Sequence, residues 1–226
     1  MPSPDSEPFT PHDAKWLRRA HTWLGVGPLA LYTAFHGWVM YAALDSREAW
    51  VERVQRFRLD TWGRALVLGY VAAHGALGVR RFLQRRHALR RDASARDPWL
   101  QFQAVIGAIF FLFLSYHVVS LWAPGDASYA SAREAYDQLW TSLGRPVTLG
   151  VYIVGISALA FHLGTGLARL AERATAMPRA SRYAAGVLAF SLWLLQVQVV
   201  ARLAIGESLV PALAPGAESA APADLP

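Results

Sequence analysis

The chain of 226 residues contains no cysteine. This absence excludes disulfide bonds, iron–sulfur clusters held by thiolates, and haem attached covalently through a C-x-x-C-H motif. Any metal or cofactor that the chain binds must therefore be held by histidine, methionine or oxygen ligands.

Charge is absent from several long stretches, although the net charge is +6. Residues 98–125 include no charged side chain, and about 20 apolar residues are enough to cross a bilayer. A soluble core helix of that length would show a polar stripe, which this stretch lacks. It therefore predicts a transmembrane helix, and the basic net charge does not indicate a nucleic-acid partner.

The same pattern along the chain predicts an all-α membrane protein with five transmembrane helices. These spans I to V cover residues 20–44, 61–83, 98–122, 146–168 and 183–201. Span II is the weakest, because arginines flank its apolar centre. We expect residues 15–205 to form one membrane domain, with disordered tails at 1–14 and 206–226.

The basic residues predict the orientation of the spans. The first 14 residues lack the positive charge and apolar run of a secretory signal, which favours a cytoplasmic N-terminus. The inner segments then carry 14 Lys and Arg residues and the outer segments carry 8, in line with the positive-inside rule. Five spans would place the C-terminus outside.

Each of spans I to IV contains one histidine well inside the span. An ionisable residue at such depth is costly and suggests a function. At about 1.5 Å per residue, His36 and His117 lie roughly 6 and 10 Å beyond mid-span toward the outside. His74 and His162 lie roughly 3 and 7 Å past the middle toward the inside.

Two histidines at one depth across a four-helix bundle are what a bis-imidazole haem iron needs. Spans I–IV are thus predicted to form a bundle with two haems, one ligated by His36 and His117, the other by His74 and His162. With both axial positions filled, the iron would transfer electrons rather than bind oxygen. Gly78 and Gly166, one turn after His74 and His162, would leave room for a flat porphyrin.

Blander explanations exist for each of these residues alone. A single membrane histidine is often a core residue bonded to a neighbouring helix, and small residues also serve helix packing. Matched depths on four successive spans are harder to explain in that way.

Haem propionates are anionic and need donors near the membrane surface. Candidates on the inner side are His21, Thr22, Trp99 and Arg173, and the candidate on the outer side is Arg145. Interfacial anchoring is the alternative role for these residues.

Four segments of the chain resemble the dihaem cytochrome b subunit of succinate dehydrogenase and fumarate reductase, in the b558-type branch with one five-helix anchor. They are RRAHTWLGVGPLALYTAFHGW, LVLGYVAAHGALG, QFQAVIGAIFFLFLSYHVV and VYIVGISALAFHLGTGL. The resemblance covers residues 15–205, and it implies the same ligand pairs as the depths do.

The resemblance implies an anchor and electron-transfer subunit in a bacterial cytoplasmic membrane. Its partners would be a flavoprotein and an iron–sulfur protein on the cytoplasmic face, docked on the basic inner segments 80–97 and 169–182. Electrons would pass through two b haems to a quinone, which this branch implies is menaquinone. The subunit alone would not act on succinate.

One departure from the family concerns protons. Some fumarate reductases carry a membrane glutamate near the fourth ligand, whereas residues 158–161 here are Ala-Leu-Ala-Phe and no span contains an internal carboxylate. A compensating proton path is therefore not expected.

Two other functions compete with this one. Dihaem anchors of nitrate reductase, formate dehydrogenase or hydrogenase tend to place their ligands on fewer helices. A haem-free scaffold or transporter would usually show polar or broken spans, which are scarce here.

Overall fold

The computed structural model describes residues 11–91, 98–122, 131–174 and 178–206. Those residues form helices and short connections, with no β-strand among them. The α-helices are α1 (Pro11–Leu24), α2 (Ala30–Tyr41), α3 (Arg47–Phe57), α4 (Thr61–Arg91), α5 (Pro98–Trp122), α6 (Ala132–Leu143), α7 (Pro146–Ala174) and α8 (Pro178–Ile205). A π-helical turn, Gly25–Leu29, joins α1 to α2, and a 3-10 turn, Ala42–Leu44, follows α2.

Within the described part of the chain, three helices are long and apolar enough to cross a membrane, by length and composition. They contain the segments Gln101–Ser120, Pro146–Glu172 and Arg179–Ile205, which correspond to spans III, IV and V. The predicted all-α class is therefore confirmed for the described residues, and these three helices are compatible with a membrane protein. The helices over spans I and II are not among the three, so the five-span count and the orientation stay predictions.

The boundaries of the predicted tails and loops differ in detail from those of the helices. Helix α1 begins at Pro11, four residues inside the tail predicted to be disordered. Helix α4 continues to Arg91, so much of the basic segment 80–97 is helical. At the other end, α8 stops at Ile205 and Gly206 adopts a positive φ of 76°, a conformation that suits glycine after a helix end.

Two units of the chain can be described separately, and the first contains residues up to Tyr32 and Asp60–Ala104. Within it, α1 and the π-helical turn pack against α4. Pro28 lies inside the turn, and its lack of an N–H removes one regular helical hydrogen bond. The N–H of Ala30 accordingly donates to Gly25 O, five residues back, which is the widened pattern of a π turn.

The second unit contains Thr33–Leu59 and the chain from Val105 onward. Its helices α7 and α8 pack closely along their lengths. A Cβ on Gly164 would come within 2.6 Å of Ala189 Cβ, so glycine is what lets the two backbones approach. The indole N–H of Trp193 also donates to Ser157 Oγ at 3.0 Å.

Helices α3 and α6 lie in segments that the sequence analysis treated as connections between spans. Each begins at a serine cap: Ser46 Oγ accepts from the N–H of Ala49, and Ser131 forms a reciprocal capping box with Glu134. Such caps satisfy N–H groups that a helix start leaves without partners.

The two capped helices pack together in the second unit. Trp50 is 2% exposed and meets Tyr136 edge to face, with ring centroids 5.4 Å apart. Arg47 forms an ion pair with Asp137 and lies over the ring of Tyr136. An apolar core with an ionic rim therefore joins α3 to α6.

Candidate functional site

Two of the four span histidines meet in the second unit. His36 on α2 and His117 on α5 are half-buried, and their ring centroids lie 6.2 Å apart with the ring planes inclined at 72°. The matched depths of these residues in spans I and III predict this pairing. The structure brings them together as neighbours.

This separation suits one shared metal ion. Two imidazoles on opposite sides of a metal, with metal–nitrogen bonds of about 2 Å, have centroids roughly 6 Å apart. A haem would be held by the imidazoles of His36 and His117 and would need no third ligand from the protein. Among the described residues, no group of three or more His, Asp or Glu side chains could hold a bare metal ion.

His117 is held by two aromatic neighbours. Its Nδ1 lies 3.0 Å from the hydroxyl oxygen of Tyr152 on α7. Phe113, one turn earlier on α5, lies nearly parallel to the imidazole with centroids 5.9 Å apart. The two aromatic rings also meet each other edge to face at 5.3 Å. This cluster fixes both the plane of the His117 ring and the direction of its Nδ1.

Helices α5 and α7 run antiparallel through this cluster in one register. His117 meets Tyr152, Phe113 lies on Gly155, and Gly107 faces His162. From one contact to the next, the residue number falls along α5 and rises by a similar amount along α7. Glycine stands at two of the three contacts, where it accommodates a ring from the opposite helix.

His162 is the span histidine at the far end of this register. A Cβ on Gly107 would lie 2.8 Å from His162 Cε1 and 2.9 Å from its Nδ1. The hydroxyl of Thr165 donates to the carbonyl oxygen of His162 at 3.0 Å, and Thr165 is itself buried. The imidazole therefore sits in a recess that only glycine leaves open.

His74 is the span histidine of the first unit. Its Nδ1 lies 3.1 Å from the carbonyl oxygen of His21, and a carbonyl can only accept, so Nδ1 carries the proton. The lone pair of a neutral His74 is then on Nε2, which is the tautomer of a metal ligand. A Cβ on Gly25 would come within 2.7 Å of His74 Cε1, so this ring also lies against a glycine.

His21 contacts His74, which the sequence did not predict. Its ring stacks on His74 with centroids 4.1 Å apart, and Arg81 Nη1 donates to its Nδ1 at 3.0 Å. A Cβ on Gly78 would lie 3.3 Å from His21 Nε2. The space beside Gly78, expected to face a porphyrin, is therefore next to His21. A metal binds imidazole in the ring plane, so this stacking does not block His74 Nε2.

Three of the other predicted propionate contacts can be described by their exposure. Thr22 is half-buried beside His21, and Arg145 is exposed at the start of α7. Trp99 is 52% exposed and stacks on Phe102 at 5.6 Å. The side chain of Arg173 lies outside the described part of the structure. Because His74 and His162 belong to different units, their pairing stays a prediction.

Tyr152 is the residue at this site that the sequence analysis missed. The signal was present, since Tyr152 lies near the start of span IV, at nearly the depth assigned to His117 in span III. A tyrosine hydroxyl at the same depth as a histidine can bond an imidazole nitrogen.

Comparisons of the chain with protein-family models, with curated proteins and with solved structures gave no match.

Proposed function

We propose that the chain is the membrane anchor and electron-transfer subunit of a succinate:quinone oxidoreductase in a bacterial cytoplasmic membrane. It would cross the membrane five times, with its N-terminus inside. It would hold two b haems, one between His36 and His117 and one between His74 and His162. Electrons would pass from an iron–sulfur partner to a quinone, with menaquinone implied by the family resemblance.

The observation that carries the proposal is the His36–His117 pair. The 6.2 Å separation of the two ring centroids suits two imidazoles that would share one haem iron. The bound haem would supply a reversible one-electron couple. The chain's own residues would bind it, orient its ligands and keep water away from it.

The basic ends of the helices support the predicted docking face. Arg80 and Arg86 are exposed near the end of α4, and Arg179 and Arg182 are exposed near the start of α8. Positive surfaces of this kind attract acidic partners and speed their association. The flavoprotein and the iron–sulfur protein would bind there, since this chain has no cysteine for a cluster of its own.

Reduction by substrate in native membranes tests the proposal. Succinate should reduce both b haems of this chain, and malonate should prevent it. Reduction of these haems by hydrogen, by formate or by the electron donor of a nitrate reductase would favour the alternative instead. In that case the chain would be the dihaem anchor of another respiratory oxidoreductase. If no donor reduces a haem that belongs to this chain, the proposal fails.

A further inference from the structure

Tyr152 contacts His117 in a way that packing alone would not require. Tyr152 is 8% exposed, and its hydroxyl lies 3.0 Å from His117 Nδ1. The rings meet at 78°, so the contact is made by the polar atoms rather than by stacked faces. A phenylalanine at position 152 would pack equally well and lack this bond.

The direction of this hydrogen bond follows from the proposed function, on which the inference rests. If Nε2 of His117 binds iron, its lone pair is used there and the ring proton sits on Nδ1. Nδ1–H then donates to the oxygen of Tyr152. The opposite arrangement, with the hydroxyl donating to Nδ1, would leave a proton on Nε2 and prevent ligation.

The phenolic proton of Tyr152 then needs an acceptor of its own. Tyr152 lines a small pocket between α5, α6 and α7. The pocket's other polar side chains are Tyr116, Ser120, Gln138, Ser142 and Thr148. The hydroxyl and amide oxygens of the four aliphatic side chains among these, or water between them, can accept that proton. Tyr152 can therefore serve as acceptor for His117 without leaving its own donor unsatisfied.

We propose that Tyr152 is a positioning residue for His117 and lowers the reduction potential of the haem that His117 binds. By accepting from Nδ1–H, it selects the tautomer with Nε2 toward the iron and fixes the ring plane. An acceptor on the far nitrogen also makes the imidazole a more basic ligand. A more basic ligand stabilises the oxidised iron.

Tyr152→Phe tests this role, because it removes the hydroxyl and keeps the ring that packs on Phe113. Tyr116→Phe is the matched control, since it removes a phenol from the same pocket but no bond to His117. The full-length chain is purified with its haems. Haem content, both midpoint potentials and the electron paramagnetic resonance spectrum of the ferric haems are then measured, the last because it reports the angle between axial imidazole planes.

In Tyr152→Phe, one midpoint should rise, the other should stay, and the resonance signal of one haem should change. Loss of one haem with the other retained would support the role equally. Tyr116→Phe should change none of these. If Tyr152→Phe does not fold, 3-fluorotyrosine at position 152 keeps every contact but weakens the oxygen as an acceptor, and one midpoint should again rise.

Two haems with unchanged midpoints and unchanged resonance signals in the Tyr152 variant would overturn the inference and leave the proposed function standing. A wild-type chain without haem would overturn the proposed function itself.

Discussion

The ring of Phe113 lies directly against the backbone of Gly155, and a Cβ at that position would overlap it. The contact sets the distance between α5 and α7. It also sets their register, because Tyr152 lies one turn before Gly155 and His117 one turn after Phe113. The bond between Tyr152 and His117 thus depends on Gly155, although this glycine has no side chain to bond either residue.

Gly155→Ala should therefore weaken the site of His117 without changing any ligand. The added methyl group would force the helices apart or turn the Phe113 ring, and such overpacking costs about 1–3 kcal/mol. We expect loss of one haem per chain, measured as pyridine haemochrome. Gly150→Ala on the same helix is the control, because nothing lies within 4 Å of its Cβ position. Equal haem content in the two variants would contradict this role for Gly155.

Gly25 and Gly107 should matter for the other two histidines. A Cβ on Gly25 would press on His74 and a Cβ on Gly107 on His162, so alanine at either position must displace an imidazole. Under the proposed pairing, Gly25→Ala and Gly107→Ala should both lower the content of the haem held by His74 and His162. The spectrum of the other haem should stay unchanged in both variants.

Gly27→Ala is the control for that pair of variants, since Gly27 lies in the same π-helical turn as Gly25 with open space around it. Loss of spectrally different haems in the Gly25 and Gly107 variants would refute the pairing of His74 with His162.

Removal of Trp50 should separate α3 from α6. Trp50 is 2% exposed and packs on Tyr136, and truncation of a buried tryptophan typically costs 3–5 kcal/mol, here taken as about 4 kcal/mol. Trp50→Ala should lower the free energy of unfolding in detergent by that amount. Trp62→Ala, at a site 81% exposed, should change it little. A similar loss of unfolding free energy in both variants would contradict a special contribution of the buried Trp50 to stability.

Tyr136 should make stability depend on pH in the alkaline range. Burial raises the pKa of its phenol above the ordinary value of 10.0, against the opposing effect of Arg202 and Arg47. A pKa raised by folding favours the folded state at pH below the unfolded pKa, and the benefit is lost as pH rises through the folded pKa. Unfolding curves above about pH 10 should therefore show the wild type losing stability relative to Tyr136→Phe. Parallel curves for the two proteins would contradict this.

The sequence was sufficient to predict the long apolar helices. Helix α5 covers Pro98–Trp122, the limits expected for span III, and α7 begins at Pro146 as expected for span IV. Both helices start at a proline. Proline suits the first turn of a helix, because the N–H group that it lacks would have no partner at that position. The uncharged stretches predict the lengths of these two helices, and the prolines indicate where they begin.

The parts that the sequence analysis missed depend on tertiary contacts or on short polar signals. Ser131 and Glu134 have the spacing of a capping box and indicate the start of α6. An amphipathic helix of 12 residues has no long apolar run, so the pattern of apolar spans did not predict it. The stack of His21 on His74 arises from the crossing of α1 and α4, which no local pattern specifies. Tyr152 could have been found by extending the depth comparison beyond histidine.

The proposed function depends most on the ligation of one of two b haems by His36 and His117. The most direct test is a redox-titrated visible spectrum with haem quantification on the purified chain, on His36→Ala and His117→Ala, and on His87→Ala, an exposed residue of α4, as the control. This ligand assignment predicts two b haems per chain in the wild type and the control. It predicts one remaining haem, with the same spectrum, in each of the other two variants. A chain without haem, or one that keeps both haems in those two variants, would contradict it.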